Sequence, residues 1–460
     1  MKKTILDFFK KSYDAKLSVC SRDKACEKTD RLRGIAAALD DGREIFADGG
    51  NVTEEIYAMI RELHPKIMRM YPADANYQSW LDFCLKEEIN PHVVLSADDA
   101  ADVIRGTVEA LREKFAGNDI WTPRRFYELD CDPNQAARGT DAEIEARAAV
   151  LNAAASVIRE ADPDGEVILT GIMPFGEDRG RAELWNARML ELCAANMNYI
   201  GVSWAPMPTG GRVWDVNADG IEAMSAFAEE FKDAMLRLDR QIRESGAENV
   251  RVVLGGWHGL DDDVPQMRQD CVYYTSVYES IRAMGDLIAA AEYGPLFGHA
   301  GLFSEEDGTI FGNVSYQNLL LSANELEIPL TVKEFSHEKP IPAEHWAGIP
   351  GVIDPRDMKW VKVSASRSAD GKTLHLLMTN RHPYKRAVLR VRFYDMPDLY
   401  PVEACILSSK SRTDGNSAAA PMKVYCKQVK LRQYRPMDHV NPDIAECSSV
   451  SMLLTVRSEK

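Results

Sequence analysis

Short, largely apolar runs alternate with longer amphipathic stretches from about Leu32 to Leu326. The runs Lys66–Tyr71, His92–Ser96 and Arg251–Trp257 are typical of strands that are buried on both faces of a parallel sheet. The stretches between such runs repeat apolar residues at steps of three and four, which indicates helices with one buried face. Counting from Leu32 gives eight strand–helix units. This count predicts an α/β fold closed into a (β/α)8 TIM barrel.

Local signals place some of these elements. Thr140 and Glu143 have the spacing of a capping box and predict the start of a helix. Near the end of the barrel we expect a helix over Gln269–Ala291 and the last strand over Leu296–Phe303. An open, doubly wound sheet is the alternative architecture. The barrel is favoured because no glycine-rich phosphate loop follows the first strand.

Beyond Pro329 the hydrophobic period changes from helical to two. Apolar residues alternate with arginines from Leu389 to Phe393, and turn signals such as Asp370-Gly371 separate several runs of this kind. This pattern predicts an antiparallel β-sandwich. The sequence thus divides into an N-terminal segment (1–31) that we expect to pack on the sandwich, a barrel (32–328) and a C-terminal β-sandwich (329–460).

Charge supports the same division. The 460 residues carry a net charge of −16, which makes a nucleic-acid partner unexpected because phosphate backbones need a basic surface. The part from Gly351 to Lys460 nevertheless has a net charge of +8, so the remainder has −24. A shift of this size within one chain favours a domain boundary shortly before Gly351.

The sequence lacks several features, and their absence predicts a cytoplasmic protein without a cofactor. No apolar run is long enough to span a bilayer, and Asp7 interrupts the N-terminal apolar stretch, so neither a membrane segment nor a signal peptide is expected. The nine cysteines form no C-x-x-C pair, which favours reduced, mostly buried thiols in a cytoplasmic protein. His92 and His299 are too isolated to indicate a metal site, and no cofactor is expected. The oligomeric state is left open, a homo-oligomer included.

The stretch Arg124–Pro133 holds the clearest candidate chemistry. It reads R-R-F-Y-E-L-D-C-D-P, an apolar strand that releases Asp130, Cys131 and Asp132 before Pro133 ends it. In a barrel of parallel strands, side chains at the carboxyl ends of the strands face the active-site mouth. We therefore expect these three side chains near that mouth.

Several segments, taken in order, resemble glycoside hydrolase family 51, the α-L-arabinofuranosidases of clan A. The acid/base strand of that family usually ends Gly-Asn-Glu-Pro, where this chain has Asp-Cys-Asp-Pro. The other matching segments are Arg33–Leu39, Lys66–Pro72, Glu183–Trp204, Arg251–Gly259 and Val363–Asn380. The resemblance implies a TIM barrel with a β-sandwich and a glycan ligand that contains pentoses such as arabinose or xylose.

The departures from the family pattern concentrate at the pocket. The resemblance places the family's nucleophilic Glu at Gly256 and its acid/base Glu at Asp132, with Cys131 in place of the neighbouring Asn. The His of the sixth strand corresponds to Ser203, and the sugar-binding Glu of the first strand to about Ala38. A retaining glycosidase needs a carboxylate as nucleophile, and glycine has no side chain. The retaining mechanism is therefore in doubt.

Two functions from different classes follow. The first is a divergent glycosidase with Asp132 as general acid/base; a second carboxylate would come from Asp261–Asp263 or from Glu334. The second is a non-catalytic relative that binds a carbohydrate or a partner protein through the altered pocket. Under both, the expected ligand-contacting residues are Cys131, Ser203, Trp204, Trp257 and His258.

Each of these positions also has a purely structural interpretation. Asp132 could cap the next loop or helix, and Cys131 could be an inert buried thiol. His258 could be a hydrogen-bonded structural residue. Trp204 and Trp257 could stack on a sugar, or they could fill the top of the barrel.

Overall fold

The computed structural model describes most of the chain. Its described residues are 12–26, 32–37, 52–117, 121–131, 139–176, 178–206, 218–259, 265–323, 325–336, 340–345, 357–396, 399–430 and 439–456. The first described element is strand β1 (Ser12–Lys24), which belongs to the C-terminal sheet. Among the described residues, no helix combines the length and the apolar composition that crossing a bilayer requires.

Eight parallel strands close into a barrel, as predicted, with β2 paired to β9. The strands are β2 (Leu32–Ala36), β3 (Ile67–Met70), β4 (Asn90–Ser96), β5 (Phe126–Asp130), β6 (Glu166–Thr170), β7 (Tyr199–Trp204), β8 (Arg251–Trp257) and β9 (Ile288–Tyr293). Their carboxyl ends meet at one edge of the barrel, the edge that holds the active site in barrels of this kind.

A helix follows each barrel strand. The helices are α1 (Glu54–Glu62), α2 (Tyr77–Glu87), α3 (Ala101–Phe115), α4 (Asp141–Ala161), α5 (Arg179–Cys193), α6 (Ala218–Glu244), α7 (Cys271–Ala283) and α8 (Val314–Ser322). The predicted capping box is confirmed at the start of α4, where the Glu143 carboxylate accepts from Thr140 N at 2.6 Å and the Thr140 hydroxyl accepts from Glu143 N at 3.4 Å. A hairpin, β10 (Phe303–Glu306) and β11 (Thr309–Gly312), precedes α8.

The prediction for the last barrel strand was wrong. The chain forms β9 over Ile288–Tyr293 and not over Leu296–Phe303, and the preceding helix ends at Ala283 rather than Ala291. The segment Ile288–Tyr293 contains three consecutive alanines, which have high helix propensity and continue the apolar pattern of α7. Tertiary pairing with β8 and β2 overrides that local preference.

The remaining strands form a ten-stranded, strongly curled sheet in the order β17-β16-β20-β14-β13-β12-β1-β15-β18, with β19 also paired to β15. Its further strands are β12 (Ile328–Ser336), β13 (Val361–Arg367), β14 (Thr373–Asn380), β15 (Arg386–Tyr394), β16 (Leu399–Ser408), β17 (Tyr425–Lys430), β18 (His439–Val440), β19 (Asp443–Ile444) and β20 (Ser448–Val456). The sheet is antiparallel except where β1 inserts parallel to β15. The inner face encloses a separate apolar core.

The cysteines depart from the predicted fully reduced state. Cys405 on β16 and Cys426 on β17 form a disulfide that joins the two outermost strands at one edge of the sheet. This pair has no signature in the sequence, because 21 residues separate the two cysteines and only the pairing of β16 with β17 brings them together. The seven other cysteines are free, and all of them except Cys20 are buried.

Candidate functional site

The barrel interior is layered. Its lower layer is apolar and contains Ile67, Phe126, Ile168, Tyr199 and Val253, one from each of five strands. Because side chains alternate along a strand, the residue two positions further along also points inward, nearer the mouth. On β3 and β5 these residues are Arg69 and Glu128, so the layer above the apolar one is charged.

This charged layer is a connected quartet of Arg69, His92, Glu128 and Glu292. The Arg69 guanidinium donates from Nε to Glu128 Oε2 at 2.7 Å and from Nη2 to Oε1 at 3.1 Å. His92 lies between the two carboxylates, with Nε2 3.0 Å from Glu128 Oε2 and Nδ1 2.9 Å from Glu292 Oε2. The His92 and Glu292 side chains are fully buried, whereas those of Arg69 and Glu128 keep 10% and 7% exposure. The Arg69–Glu128 pair is therefore the part of the quartet nearest the open end.

Electrostatics fix the protonation states of the quartet. Burial by itself would lower the pKa of His92, but the charge of Glu292 and the contacts with both carboxylates raise it to about 9. Burial would raise the pKa of Glu128, but Arg69 and His92 together hold it well below its ordinary value. At neutral pH, His92 is therefore an imidazolium and Glu128 a carboxylate.

Glycines on neighbouring strands make room for this layer. A Cβ at Gly255 would lie 3.3 Å from Arg69 Nε and 3.4 Å from Glu128 Oε2. A Cβ at Gly201 would lie 2.8 Å from the Ile168 side chain, and one at Gly34 would lie 2.8 Å from Glu292 Cγ. Real Cβ atoms essentially never approach within 3.0 Å of another heavy atom, so larger residues at Gly34 and Gly201 would displace their neighbours.

The mouth above the charged layer has small and polar side chains. A Cβ at Gly256 would lie 3.8 Å from the hydroxyl of the exposed Ser203, and no other atom of the described residues is within 4 Å of it. Asp130 is exposed at the end of β5, and His258 is half-exposed just after β8. Tyr71, just after β3, is half-buried, and the Arg69 guanidinium lies 5.1 Å from the centre of its ring.

Ser203 and Gly256 are the sequence-predicted positions that the structure brings together, and His258 lies on the same side of the mouth. Asp132, the predicted general acid, is outside the described residues; the strand that leads to it ends at Asp130. Ala38 and the acidic loop Asp261–Asp263 also lie outside them, and the side chain of Glu334 is not described.

Three of the expected ligand contacts are corrected. Cys131 is buried, 4% exposed, and packs in the layer between barrel and helices beside Arg147 of α4. Trp204 and Trp257 are 0% and 2% exposed, so neither presents an open face to a sugar. Trp204 packs against Phe175 and Phe231, and Trp257 packs edge-on against Tyr293.

The two tryptophans face outward for different reasons. On β7, plain alternation places Trp204 with Ile200 and Val202 on the outer face. On β8, one extra residue lies between Leu254 and Trp257, because these three steps pair with two steps on β7 and with two on β9. Such a one-residue irregularity moves the following side chain to the other face of the strand, so Trp257 joins Trp204 in the outer aromatic core.

The sequence reasoning missed the charged quartet, although a signal was present. Each member is the only Lys, Arg, His, Asp or Glu residue in a mostly apolar strand segment: Arg69 in Ile67–Met70, His92 in Asn90–Ser96, Glu128 in Phe126–Leu129 and Glu292 in Ile288–Tyr293. Buried charges are costly unless they are paired. Three such residues, Arg69, His92 and Glu128, lie on strands that the sequence predicted and already indicate a paired interior network, whereas Glu292 lies in the one barrel strand that was misplaced. Among the described residues, no group of three or more His, Cys, Asp or Glu side chains is arranged to hold a metal ion.

Comparisons with known proteins give a structural match only. No protein-family model matches the chain, and no curated protein matches it in sequence. The structure is similar to an α-L-arabinofuranosidase from Thermotoga maritima (TM-score 0.73, 13% identity), which it matches over 96% of this chain and 100% of that one. A family 51 α-L-arabinofuranosidase from Bifidobacterium longum gives a TM-score of 0.77 at 12% identity, over 96% and 99% of the two chains.

The similarity extends to another glycoside hydrolase family. A family 44 xyloglucanase from Paenibacillus polymyxa aligns with a TM-score of 0.65 at 11% identity, over 97% of this chain and 100% of that one. Identities this low establish architecture and leave the chemistry of the pocket to the residues described above. Barrel and curled sheet align together over almost the whole length of this chain. This chain has the fold of the family 51 α-L-arabinofuranosidases.

Proposed function

We propose that this chain is a carbohydrate-binding relative of the family 51 arabinofuranosidases whose barrel mouth holds a pentose-containing glycan without retaining hydrolysis. The observation that carries the proposal is the end of β8, where Gly256 stands at the position that the family resemblance assigns to the nucleophile and Gly255 at the position before it. Retaining hydrolysis needs two carboxylates roughly 5 Å apart, one of them as nucleophile.

Glu128 does not replace the missing nucleophile. It is the carboxylate nearest to Gly255 among the described residues, with Oε2 3.4 Å from the position that a Cβ at residue 255 would occupy. Both of its oxygens already bind the Arg69 guanidinium, and one also contacts His92. A carboxylate held in this way is a poor nucleophile, because attack would break its ion pairs. It is also a poor general acid, because its depressed pKa leaves it without a proton.

The mouth keeps groups that suit sugar binding. The half-buried ring of Tyr71 offers an aromatic surface for a sugar face. The exposed Ser203 hydroxyl and the exposed Asp130 carboxylate offer hydrogen bonds to sugar hydroxyls. At Gly256 the absence of a side chain leaves local space, since a Cβ there would meet a single described atom, Ser203 Oγ, within 4 Å. These features replace the stacking wall that the sequence suggested for Trp204 and Trp257.

A divergent glycosidase is the second candidate. The exposed Asp130 at the end of β5 keeps one carboxylate at the mouth, and Asp132 follows two residues later. An inverting mechanism would need a base roughly 6.5–9.5 Å from the acid. Turnover of pentose-containing oligosaccharides, measured by released reducing ends, separates this candidate from simple binding.

Filling the mouth tests the binding proposal. Gly256→Phe should fold, because a Cβ there would have only Ser203 Oγ within 4 Å among the described atoms, and its ring should occupy the space of the sugar. Gly106→Phe, on the exposed surface of α3 with nothing within 4 Å, is the matched control. Wild type and control should be stabilised by a bound arabino- or xylo-oligosaccharide, by about 2.7 kcal/mol at about 100 times Kd, and Gly256→Phe should not.

A second pair of variants tests the aromatic contact. Tyr71→Ala should weaken glycan binding, whereas Tyr384→Ala should not, although Tyr384 also has an arginine over its ring, Arg412 at 5.4 Å. Tyr384 is 61% exposed and lies on the C-terminal sheet domain, between β14 and β15. If no arabino- or xylo-oligosaccharide raises the melting temperature of the wild type, carbohydrate binding at the mouth is refuted. A shift that survives Gly256→Phe would place the ligand elsewhere.

A further inference from the structure

The outer face of the C-terminal sheet carries a basic groove where β1 lies parallel to β15. The register pairs Lys16 with Arg390 and Ser18 with Arg392, and it places Cys20 beside Tyr394. On both strands the alternate residues point into the apolar core, among them Leu17, Val391 and Phe393. The opposite face therefore presents one continuous polar surface to solvent. The basic groove is defined by Lys16, Ser18, Arg390, Arg392 and Tyr394, which line a depression of about 210 Å³.

Within the described part of the chain, the cations of the basic groove lack anionic partners. Lys16, Arg390 and Arg392 are exposed, and none of them forms an ion pair with a described residue. Lys16 and Arg390 are directly paired across neighbouring strands, a position in which like charges repel. The flanking carboxylates do not relieve this repulsion: Asp395 contacts Arg22 at 3.5 Å, and Asp14, although exposed on the same face, pairs with none of the three cations.

We propose that the basic groove binds a carboxylated glycan, a chain of uronic acid units. Arginine forks match the planar geometry of a carboxylate and bind it through two parallel hydrogen bonds. The Tyr394 ring, 49% exposed at the end of the groove, can stack on a sugar face. Side chains two residues apart on a strand are about 7 Å apart, and neighbouring strands about 4.8 Å, so the three cations cover an area similar to one sugar unit.

The surroundings favour this ligand over other polyanions. A nucleic acid would present phosphates far beyond the groove to a chain whose net charge is −16. An anionic membrane would need apolar side chains to insert beside the cations, and Tyr394 is the one exposed large hydrophobic residue among the five that define the groove. A glycan with spaced carboxylates needs only the cations of the basic groove as partners.

Binding of a pentagalacturonate oligomer, followed by titration calorimetry at low and moderate salt, tests the proposal. The double variant Arg390→Gln/Arg392→Gln should bind at least about tenfold more weakly, because each arginine contributes a charge-assisted hydrogen bond. Arg386→Gln is the matched control: Arg386 lies on the same face of β15 and is also exposed, but it is paired with Asp443 at 3.0 Å. The control should bind within about twofold of wild type. Tyr394→Ala should weaken binding with little change in its salt dependence.

Parallel measurements identify the ligand class and keep the test independent of the barrel mouth. Neutral arabino-oligosaccharides should not compete for the groove, and the mouth variant Gly256→Phe should leave uronate binding unchanged. No binding of the oligomer to wild type, or equal loss in Arg386→Gln, would overturn the proposal. Tighter binding of a DNA duplex, of inorganic phosphate or of phosphatidylserine vesicles would overturn it in favour of that anion.

Discussion

Removing the charge of Glu128 should strongly destabilise the barrel. Glu128→Gln keeps the size of the side chain but leaves the Arg69 guanidinium, which is only 10% exposed, without its carboxylate. Three contacts are affected: two from Arg69, at 2.7 and 3.1 Å, and one with His92 Nε2 at 3.0 Å. Breaking a buried ion pair by removing one partner costs about 3–5 kcal/mol. That is a large part of the roughly 5–15 kcal/mol by which folded proteins are stable.

Urea unfolding at pH 6, followed by circular dichroism, measures the effect. Glu160→Gln is the control, because Glu160 pairs with Arg105 at 2.7 Å on the surface, where both side chains are at least 40% exposed. Losing that pair should cost no more than about 1 kcal/mol. The double variant Arg69→Met/Glu128→Leu removes both charges together and should recover much of the loss, because an apolar pair can replace a buried ion pair.

The pH dependence follows from the direction of each shift. The pKa of Glu128 is depressed, so its stabilising contribution is present above its ordinary value of 4.5 and is lost as pH falls through the folded pKa. The pKa of His92 is raised to about 9, so its contribution is present below 6.5 and is lost as pH rises through 9. The gap between wild type and Glu128→Gln should therefore be widest near pH 5–6. A difference in the free energy of unfolding below 1 kcal/mol near pH 5–6 would refute the ion-pair account. So would an Arg69→Met/Glu128→Leu variant that is as unstable as Glu128→Gln.

Three further outcomes are expected. Burial raises the pKa of Asp270, which is 5% exposed, to about 7. Wild-type stability should therefore fall by up to about 4 kcal/mol between pH 4 and 8, and Asp270→Asn should flatten this dependence in thermal melts. Wild type should form no covalent glycosyl-enzyme with an aryl α-L-arabinofuranoside; a mass increase of one pentosyl unit would contradict the assignment of Gly256. Cys426→Ser should lower stability by about 3 kcal/mol under non-reducing conditions and should not do so with dithiothreitol present.

The architecture was accessible from the sequence because periodicity reports burial directly. Alternating strand and helix patterns predicted the barrel, and the change of period beyond Pro329 predicted the sheet domain. The predictions failed where the structure depends on pairing with strands that are distant in the sequence. The Ala-rich strand Ile288–Tyr293 has the composition of a helix, and only pairing with β8 and β2 makes it a strand. The orientation of Trp257 depends on an irregularity in β8 that leaves no mark in the residue pattern.

The charged layer and the two glycines near the end of β8 are physically linked. A side chain at Gly255 would have to start 3.3 Å from Arg69 Nε and 3.4 Å from Glu128 Oε2, so it could extend inward only by displacing that pair. An acidic side chain there would also bring a second negative charge against Glu128. The Glu128 carboxylate and an acidic residue at position 255 therefore exclude each other. Both would need the same space and the same Arg69 guanidinium. Replacing Gly256 by Glu alone would place a carboxylate at the mouth, while the Arg69 guanidinium remains bound to Glu128.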